Sequence, residues 1–385
     1  MKTVILRGPV LTQSGYGVHA RQVARWLLSR KDIDAKFVAM PWGDTPWFLD
    51  RDAQDGLIGQ VMDRSVKPDH KADVTVQLQL PNEWDPSMAP VNVGITAAVE
   101  TDRCNPEWVA ACNKMSAIIV PSQHARACLT NTGPVTVPLH VVPEAYADAV
   151  SQERLPELPQ FSTPFNFLVF GQLTGNNPEN DRKNTFYALK WLCEAFKDDP
   201  EVGIVVKTNV GRNSKIDRVV TRNLLTGVAN EARKGSKGPK IHLLHGDMSE
   251  AEVAAVYRHP QVKALVALTR GEGYGLPILE AAASGLPVIA TGWSGHLDFL
   301  KHGKYISIFY RLGEVHPSRI DGKIFVPGAR WAHPSEDDFK KRTLKFRNNS
   351  AVPREWAADM RKALLPKYGI DNVSTLYDQA LKGLI

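Results

Sequence analysis

Short apolar runs rich in Val, Ile and Phe recur along this chain and alternate with segments whose apolar positions fall at helical spacing. A run that is apolar at successive positions reads as a strand buried on both faces, and such strands need helices to cover them. The alternation therefore predicts parallel α/β sheets and excludes all-helical and antiparallel sandwich folds. The first series is "TVILRGPV", "AKFVAMP", "ADVTVQLQL", "VNVGITAAV" and "SAIIVPS", with helical "VHARQVARWLLSR", "PEWVAACNKM" and "QHARACLTNTG" between them. A second series begins at "FNFLVFGQL" and continues through helix "NTFYALKWLCEAFK", "VGIVVKTNV", "KIHLLHG", helix "SEAEVAAVYRH", "VKALVALT", helix "PILEAAASG" and "LPVIATG".

Between the two series, residues 151–165 are polar, carry Pro156, Pro159 and Pro164 and lack apolar periodicity, as a linker does. At 385 residues the chain exceeds one typical core. We expect a Rossmann-like domain over 1–155, a second over 160–365, and a C-terminal helix in 366–385 that packs back on the first domain. Two doubly wound domains facing one another leave a cleft at the carboxyl ends of their strands, where open α/β sheets bind ligands.

Charge is divided unevenly. Before residue 160 there are 15 basic and 18 acidic residues, and after it 32 and 23, so the whole excess of +6 lies in the second half. Such a half suits an anionic ligand, or is simply a well-solvated surface. No apolar run approaches the roughly 18–20 residues of a membrane span, and "MKTVILRGPV" lacks a signal-peptide core, so the expectation is an unprocessed cytoplasmic protein with no stable membrane insertion. "VHARQVARWLLSRK" is basic and amphipathic, a membrane-surface pattern, but a first helix in this fold normally covers the sheet. Cys104, Cys112, Cys128 and Cys193 show neither CxxC pairing nor zinc-site spacing, which predicts reduced thiols and no metal staple.

The most informative stretch is "TRGEGYGLPILEAAASGLPVIATGWSGHLDFL", residues 269–300. A strand ends near Thr269, a loop with Gly271, Gly273 and Gly275 follows, and Pro277 sits where a helix begins. Loop amides and a helix N-terminus together attract phosphate. Glu272 and Glu280 flank this anion site, an awkward placement unless they bind hydroxyls. Read singly, each is equally a turn or capping acid.

The paired glutamates with "GYGLP" between them, followed by "GLPVIAT" and a GxxD element, resemble the donor-site signature of glycosyltransferase family 4, the retaining nucleotide-sugar enzymes of GT-B fold. "FLVFGQLTGNNPENDRKNTFYALKWLCEAF" is similar to that family's opening of its second domain. The family's phosphate-binding Arg is Gln172 here, and Arg182 and Lys183 fall on its later basic position. "AAVETDRCNPEWVAACNKMSAIIVPSQHARACL" resembles a branch with Glu-Thr-Asp-Arg, and Glu144-Ala145 replaces the usual residues after "VVP". The tail segments "RWAHPSEDDFKKRTLKF" and "NVSTLYDQALKGL" resemble the family's closing helices.

The resemblance implies transfer of a hexose, UDP-glucose-like donors foremost, with retention of configuration and without a required cofactor or metal. Negative charge builds on the departing diphosphate, and Arg182, Lys183 and the amides of Gly273, Tyr274 and Gly275 are placed to stabilise it. Glu280 then holds the ribose, and Glu272 the sugar or the diphosphate. Glu100 orients or deprotonates the acceptor hydroxyl, or pairs with Arg103. Lys207 reaches the phosphates or is a surface lysine, and Gly15 and Gly17 close over the diphosphate. The acceptor is a glycan or, given basic clusters at 207–240 and 340–347, a hydroxymethylated base in duplex DNA.

Other readings compete. Gly15 to Ala20 matches G-x-G-x-x-A, the dinucleotide fingerprint of an NAD-dependent oxidoreductase, although no acid ends "AKFVAMP" and Asp44 is the nearest. The basic clusters alone would suit a non-catalytic nucleic-acid-binding protein, but no aromatics are interleaved with them. Two DxD strings, Asp32 to Asp34 and Asp50 to Asp52, lie in polar stretches far from any Gly-rich loop and read as chance.

Overall fold

The computed structural model describes residues 1–171, 177–208, 214–235 and 237–385. It divides into two compact units, one of Met1–Ala145, Gly322–Val326 and Tyr368–Ile385, the other of Tyr146–Asp321 and Pro327–Lys367. The division falls at Ala145, ahead of the polar 151–165 stretch, because Tyr146 and the turn after it already pack with the second unit. The Tyr146 hydroxyl, for example, donates to the Leu365 carbonyl at 2.8 Å.

In the first unit the chain runs β1 (Lys2–Gly8), α1 (Gly15–Ser29), β2 (Ile33–Ala39), α2 (Leu57–Asp63) and β3 (Val74–Leu78). It continues through β4 (Val91–Ile95), α3 (Pro106–Cys112), β5 (Ala117–Val120), α4 (Gln123–Thr132) and β6 (Leu139–Val141). All six strands pair in parallel in the order β2-β1-β3-β4-β5-β6. Val4, Leu6, Val76, Val93 and Ile119 form the inner face of the core, against α1 residues Ala20, Val23, Ala24 and Leu27. The amphipathic α1 is thus a core helix, and even Arg21 is buried, donating to the carbonyls of Val10 and Thr12 at 3.1 and 2.7 Å.

The second unit begins with β7 (Phe165–Phe170), α5 (Thr185–Ala195), β8 (Val202–Lys207), α6 (Lys215–Arg233), β9 (Lys240–Leu244) and α7 (Glu250–Tyr257). There follow β10 (Val262–Ala267), α8 (Leu276–Ala283), β11 (Val288–Thr291), α9 (Leu297–Leu300) and β12 (Ile306–Ile308). Its six parallel strands run β12-β11-β10-β7-β8-β9. Counted from β7, this is the Rossmann order, with the reversal of strand direction of travel between β7 and β10. An antiparallel hairpin of β13 (Tyr310–Glu314) and β14 (Arg330–Pro334) precedes α10 (Glu336–Asn348) and α11 (Ala351–Leu364). "RWAHP" is accordingly a strand, since pairing with β13 overrides its place in a helical tail. The last helix, α12 (Ile370–Ala380), belongs to the first unit and stacks Tyr377 on Trp26 of α1 at 5.0 Å.

The four cysteines are free and buried. Among the described residues, no helix is long and apolar enough to cross a membrane.

Candidate functional site

In the second unit the strand order reverses between β7 and β10. Loops leaving the carboxyl ends of β7 and β10 diverge to opposite sides of the sheet and open a crevice there. These loops carry Arg182 and Lys183 on one side and residues 269–275 on the other. They are joined backbone to backbone, the Arg270 N–H donating to the Arg182 carbonyl at 2.8 Å.

Asp181 shapes the first loop. Its carboxylate accepts from the backbone N–H of Lys183 at 2.9 Å and of Thr185 at 2.6 Å, closing a turn and capping α5. Asn184 takes φ +56° to complete it. The two basic side chains are then directed at one acid: Lys183 Nζ lies 2.6 Å from Glu272 Oε1, and Arg182 NH1 3.1 Å from Glu272 Oε2. Arg182 NH1 also donates to the Gly271 carbonyl at 2.7 Å. Glu272 is buried, and burial alone would push its carboxyl up; Lys183 and Arg182 outweigh this and hold it at about 2. Lys183 and Arg182 thus bring two cations to the crevice, the polarity an anionic ligand requires, with Asp181 acting on Arg182 from behind.

The backbone of the glycine loop is fixed from behind by the turn after β11. The Glu272 N–H donates to Ser294 Oγ at 2.9 Å, and the Gly295 N–H to the Glu272 carbonyl at 2.9 Å. His296 Nε2 lies 2.7 Å from the Thr291 carbonyl, which only accepts, so the proton is on Nε2 and Nδ1 accepts from Ser294 Oγ at 3.3 Å. Burial lowers the His296 pKa and keeps the ring neutral. Ser294 holds φ +93°, a costly conformation for a side chain, in order to face the loop. A Cβ on Gly295 would stand 2.2 Å from the Gly273 carbonyl oxygen, so only glycine lets the two turns touch.

Gly275 caps α8 at φ +102°, with Pro277 in the first turn as the sequence predicts. Tyr274 turns its ring inward, edge-on to Phe299 at 5.4 Å, which leaves the backbone as its part of the loop surface. Glu280 follows on α8. The Tyr257 hydroxyl donates to its Oε2 at 3.4 Å, and burial, with Glu250 adding to it, raises its carboxyl to about 7. Lys207 ends β8 and donates to the Gly246 carbonyl at 2.6 Å, its pKa lowered by burial. Gln172 and Arg212 lie outside the described residues.

Gly15, Gly17 and Glu100 belong to the first unit. Six residues, Pro9 to Ser14, separate β1 from α1, and both glycines lie in the first turn of the helix rather than in the strand-to-helix turn of a dinucleotide site. A Cβ at Gly17 would come within 2.1 Å of the Thr12 carbonyl oxygen, so this glycine serves the close approach of that loop. Between the glycines, Tyr16 stacks on Trp42 at 3.8 Å and its hydroxyl accepts from the Ala97 N–H at 3.1 Å. Glu100, half-buried after β4, and Glu144 both act electrostatically on Tyr16. The Glu144-Ala145 turn is clamped by Gln22, which donates to the Ala145 carbonyl at 2.7 Å and accepts from its N–H at 2.8 Å.

The basic clusters fare differently. Lys340 pairs with Glu194 and Glu336, Arg342 with Asp338, and Arg347 with Asp199 and Glu201, so part of the 340–347 cluster is neutralised within the unit, while Lys341 and Lys345 are exposed. Arg218 and Arg222 on α6 are exposed. Of the acidic strings, Asp32 is held by Arg30 and Asp34 by Lys36. Sequence reasoning missed Asp181, Tyr257, Ser294 and His296. The "GWSGH" turn, with small residues around a Ser and a His, is the signal that would have found the last two.

Residues 228–311, from α6 to β13, match the family model described as glycosyl transferases group 1. Among solved structures, the chain is similar to a glycosyltransferase from Rickettsia africae ESF-5 at 11% identity, with 99% of each chain covered and a TM-score of 0.64. It is similar to sucrose-phosphate synthase from Thermosynechococcus elongatus at 13% identity, covering 100% of this chain and 99% of that one, TM-score 0.62. Anabaena HepE, solved with UDP and glucose, aligns at 12% identity over 99% of each chain, TM-score 0.59. No curated protein matches the sequence. The fold is GT-B, and the chain is a glycosyltransferase.

Proposed function

We propose that the chain is a retaining enzyme that moves a hexose from a nucleotide-diphosphate sugar, UDP-glucose-like, to an acceptor hydroxyl. The observation that carries this reading is the convergence of Arg182 and Lys183 on Glu272 at the strand ends of β7 and β10. Breaking the anomeric bond concentrates charge on the leaving diphosphate, and preorganised donors aimed there lower the barrier. In the unliganded protein Glu272 holds both cations in place. When a diphosphate arrives, the two cations share their charge between it and Glu272, so neither has to be recruited from solvent. The amides of Gly273 to Gly275 and the α8 N-terminus add to the stabilisation. Lys207 supports the phosphates from β8.

Glu280 accepts from the ribose hydroxyls, a role that needs its carboxylate form. The HepE structure with UDP and glucose supports a nucleotide-sugar donor by likeness of fold. The family 4 assignment and the Glu-Thr-Asp-Arg branch rest on the sequence motifs. Glu100, in the loop that follows β4, orients or deprotonates the acceptor hydroxyl. The acceptor is a glycan or a hydroxymethylated base. Ion pairing at 340–347 takes up part of the charge that favours DNA, and the support for that acceptor is the exposed basic residues of 207–240, Arg218 and Arg222 among them, with Lys341 and Lys345.

A donor panel of UDP-glucose, UDP-N-acetylglucosamine and GDP-mannose, read by mass spectrometry on simple glycans and hydroxymethylated DNA, tests this reading. Transfer or hydrolysis with one donor is expected. Neither binding nor turnover with any donor would overturn it. Binding to duplex DNA that weakens steeply with salt selects the DNA acceptor, and no binding at low salt selects the glycan.

A further inference from the structure

A cavity of about 400 Å³ lies in the second unit between α5, the loop ahead of it and the β13–β14 hairpin. Its lining includes none of Arg182, Lys183, Lys207, Glu272 or Glu280. The floor is a closed polar network. Arg270, 3% exposed, donates from NH2 to Glu179 Oε2 at 3.1 Å and from NH1 to His333 Nδ1 at 2.7 Å. The Tyr187 hydroxyl donates to the other Glu179 oxygen at 2.7 Å. Because a guanidinium only donates, His333 Nδ1 accepts and the ring is neutral, in keeping with a pKa lowered by burial and by Arg270.

Glu179 therefore cancels Arg270, and one charge remains. Arg311 stands opposite His333 in the hairpin register, is exposed, and has no acidic partner among the described residues. The wall is aromatic, formed by Phe309, which is 70% exposed, and by Trp191. The Glu179 carboxylate lines the cavity and its side chain is 39% exposed, so it can accept from a ring hydroxyl while it pairs with Arg270. The volume suits a single ring.

We propose that this cavity is a second small-molecule site, for a monosaccharide carrying one negative group, a phosphate or a carboxylate. The charged group pairs with Arg311, and the sugar ring lies on Phe309. The site also reaches the donor loop, since Arg270 donates from Nε to the Asp181 carbonyl at 3.3 Å and from its backbone N–H to the Arg182 carbonyl at 2.8 Å. An occupant of the cavity accordingly shifts the affinity for nucleotide, a coupling that rests on the donor-site reading above.

Titration calorimetry of the full chain with glucose 6-phosphate, glucuronate and glucose tests the site. At least one of the two anions is expected to bind, with glucose about tenfold weaker or more. The phosphate and carboxylate arms identify the charged group. Arg311→Glu should lose that binding by about tenfold or more while still binding UDP, and Lys183→Ala should keep it. Saturating sugar anion should change the UDP dissociation constant by about fivefold or more.

Failure of both anions to bind, equal binding of glucose, undiminished binding by Arg311→Glu, or loss in Lys183→Ala would overturn the site. An unchanged UDP affinity would overturn the coupling. If the wild-type chain binds no nucleotide, the donor reading fails by itself, and the sugar titrations still decide the cavity.

Discussion

Lys183 Nζ and Glu272 Oε1 stand 2.6 Å apart although 89 residues separate them in the chain. The pair ties the loop after β7 to the glycine loop after β10, and Arg182 reinforces it from the other carboxylate oxygen at 3.1 Å. This contact sets charge and geometry together: it fixes two cations at one crevice.

Replacing Lys183 by Ala removes a cation from the crevice and strands part of a buried carboxylate. UDP affinity should fall by about tenfold or more, and stability by about 2 kcal/mol, the usual worth of a hydrogen bond to a charged group. Calorimetric titration and chemical denaturation measure the two effects separately. Arg182→Ala should weaken UDP in the same sense.

The two glutamates predict opposite pH behaviour. Glu272, held at about 2 against an ordinary 4.5, favours the folded state above pH 4.5, and that contribution is lost as pH falls from 4.5 toward 2. Glu272→Gln should flatten the acid limb of a denaturation series over that window. An unaltered acid limb would contradict the pairing.

Glu280, raised to about 7 from 4.5, binds a proton more tightly folded than unfolded, so its contribution to stability falls as pH rises from 4.5 through 7. Ligand binding runs the other way, because accepting ribose hydroxyls requires the carboxylate. UDP affinity should rise by about tenfold between pH 6 and 8 as the group ionises, and Glu280→Gln should abolish that rise. A pH-independent wild type would remove Glu280 from ribose recognition.

Gly295→Ala tests the scaffold rather than the charges. Its Cβ would meet two backbone oxygens, of Gly273 at 2.2 Å and Glu272 at 2.8 Å, neither of which moves cheaply. A loss of about 1–3 kcal/mol is expected, with weakened UDP binding, from displacement of the glycine loop. Thermal unfolding with and without UDP reads both.

Much of this is legible in the sequence. The strands of both sheets announce themselves as continuous apolar runs, and Gly275, Pro277 and the two glutamates carry the local grammar of a strand, loop and helix start. Contacts between distant loops were not legible. No spacing rule links Lys183 to Glu272, or Ser294 and His296 to the glycine loop, because each depends on the order in which β7, β10 and β11 lie side by side. The β13–β14 hairpin is hard to read from sequence because each strand is only five residues long, Tyr310–Glu314 is largely exposed, and Arg330–Pro334, though mostly buried, ends in proline. Ion pairing at 340–347 was not legible either, since Lys340, Arg342 and Arg347 meet acids from α5, α10 and the turn before β8 only in the folded unit.

Titration of UDP into the wild-type chain and the Arg182→Ala/Lys183→Ala double variant is the most direct measurement of the central claim. Saturable binding by the wild type, weakened by about a hundredfold or more in the double variant, is the predicted result. Equal binding by the two proteins, or no binding of UDP, GDP or ADP by the wild type, would contradict it.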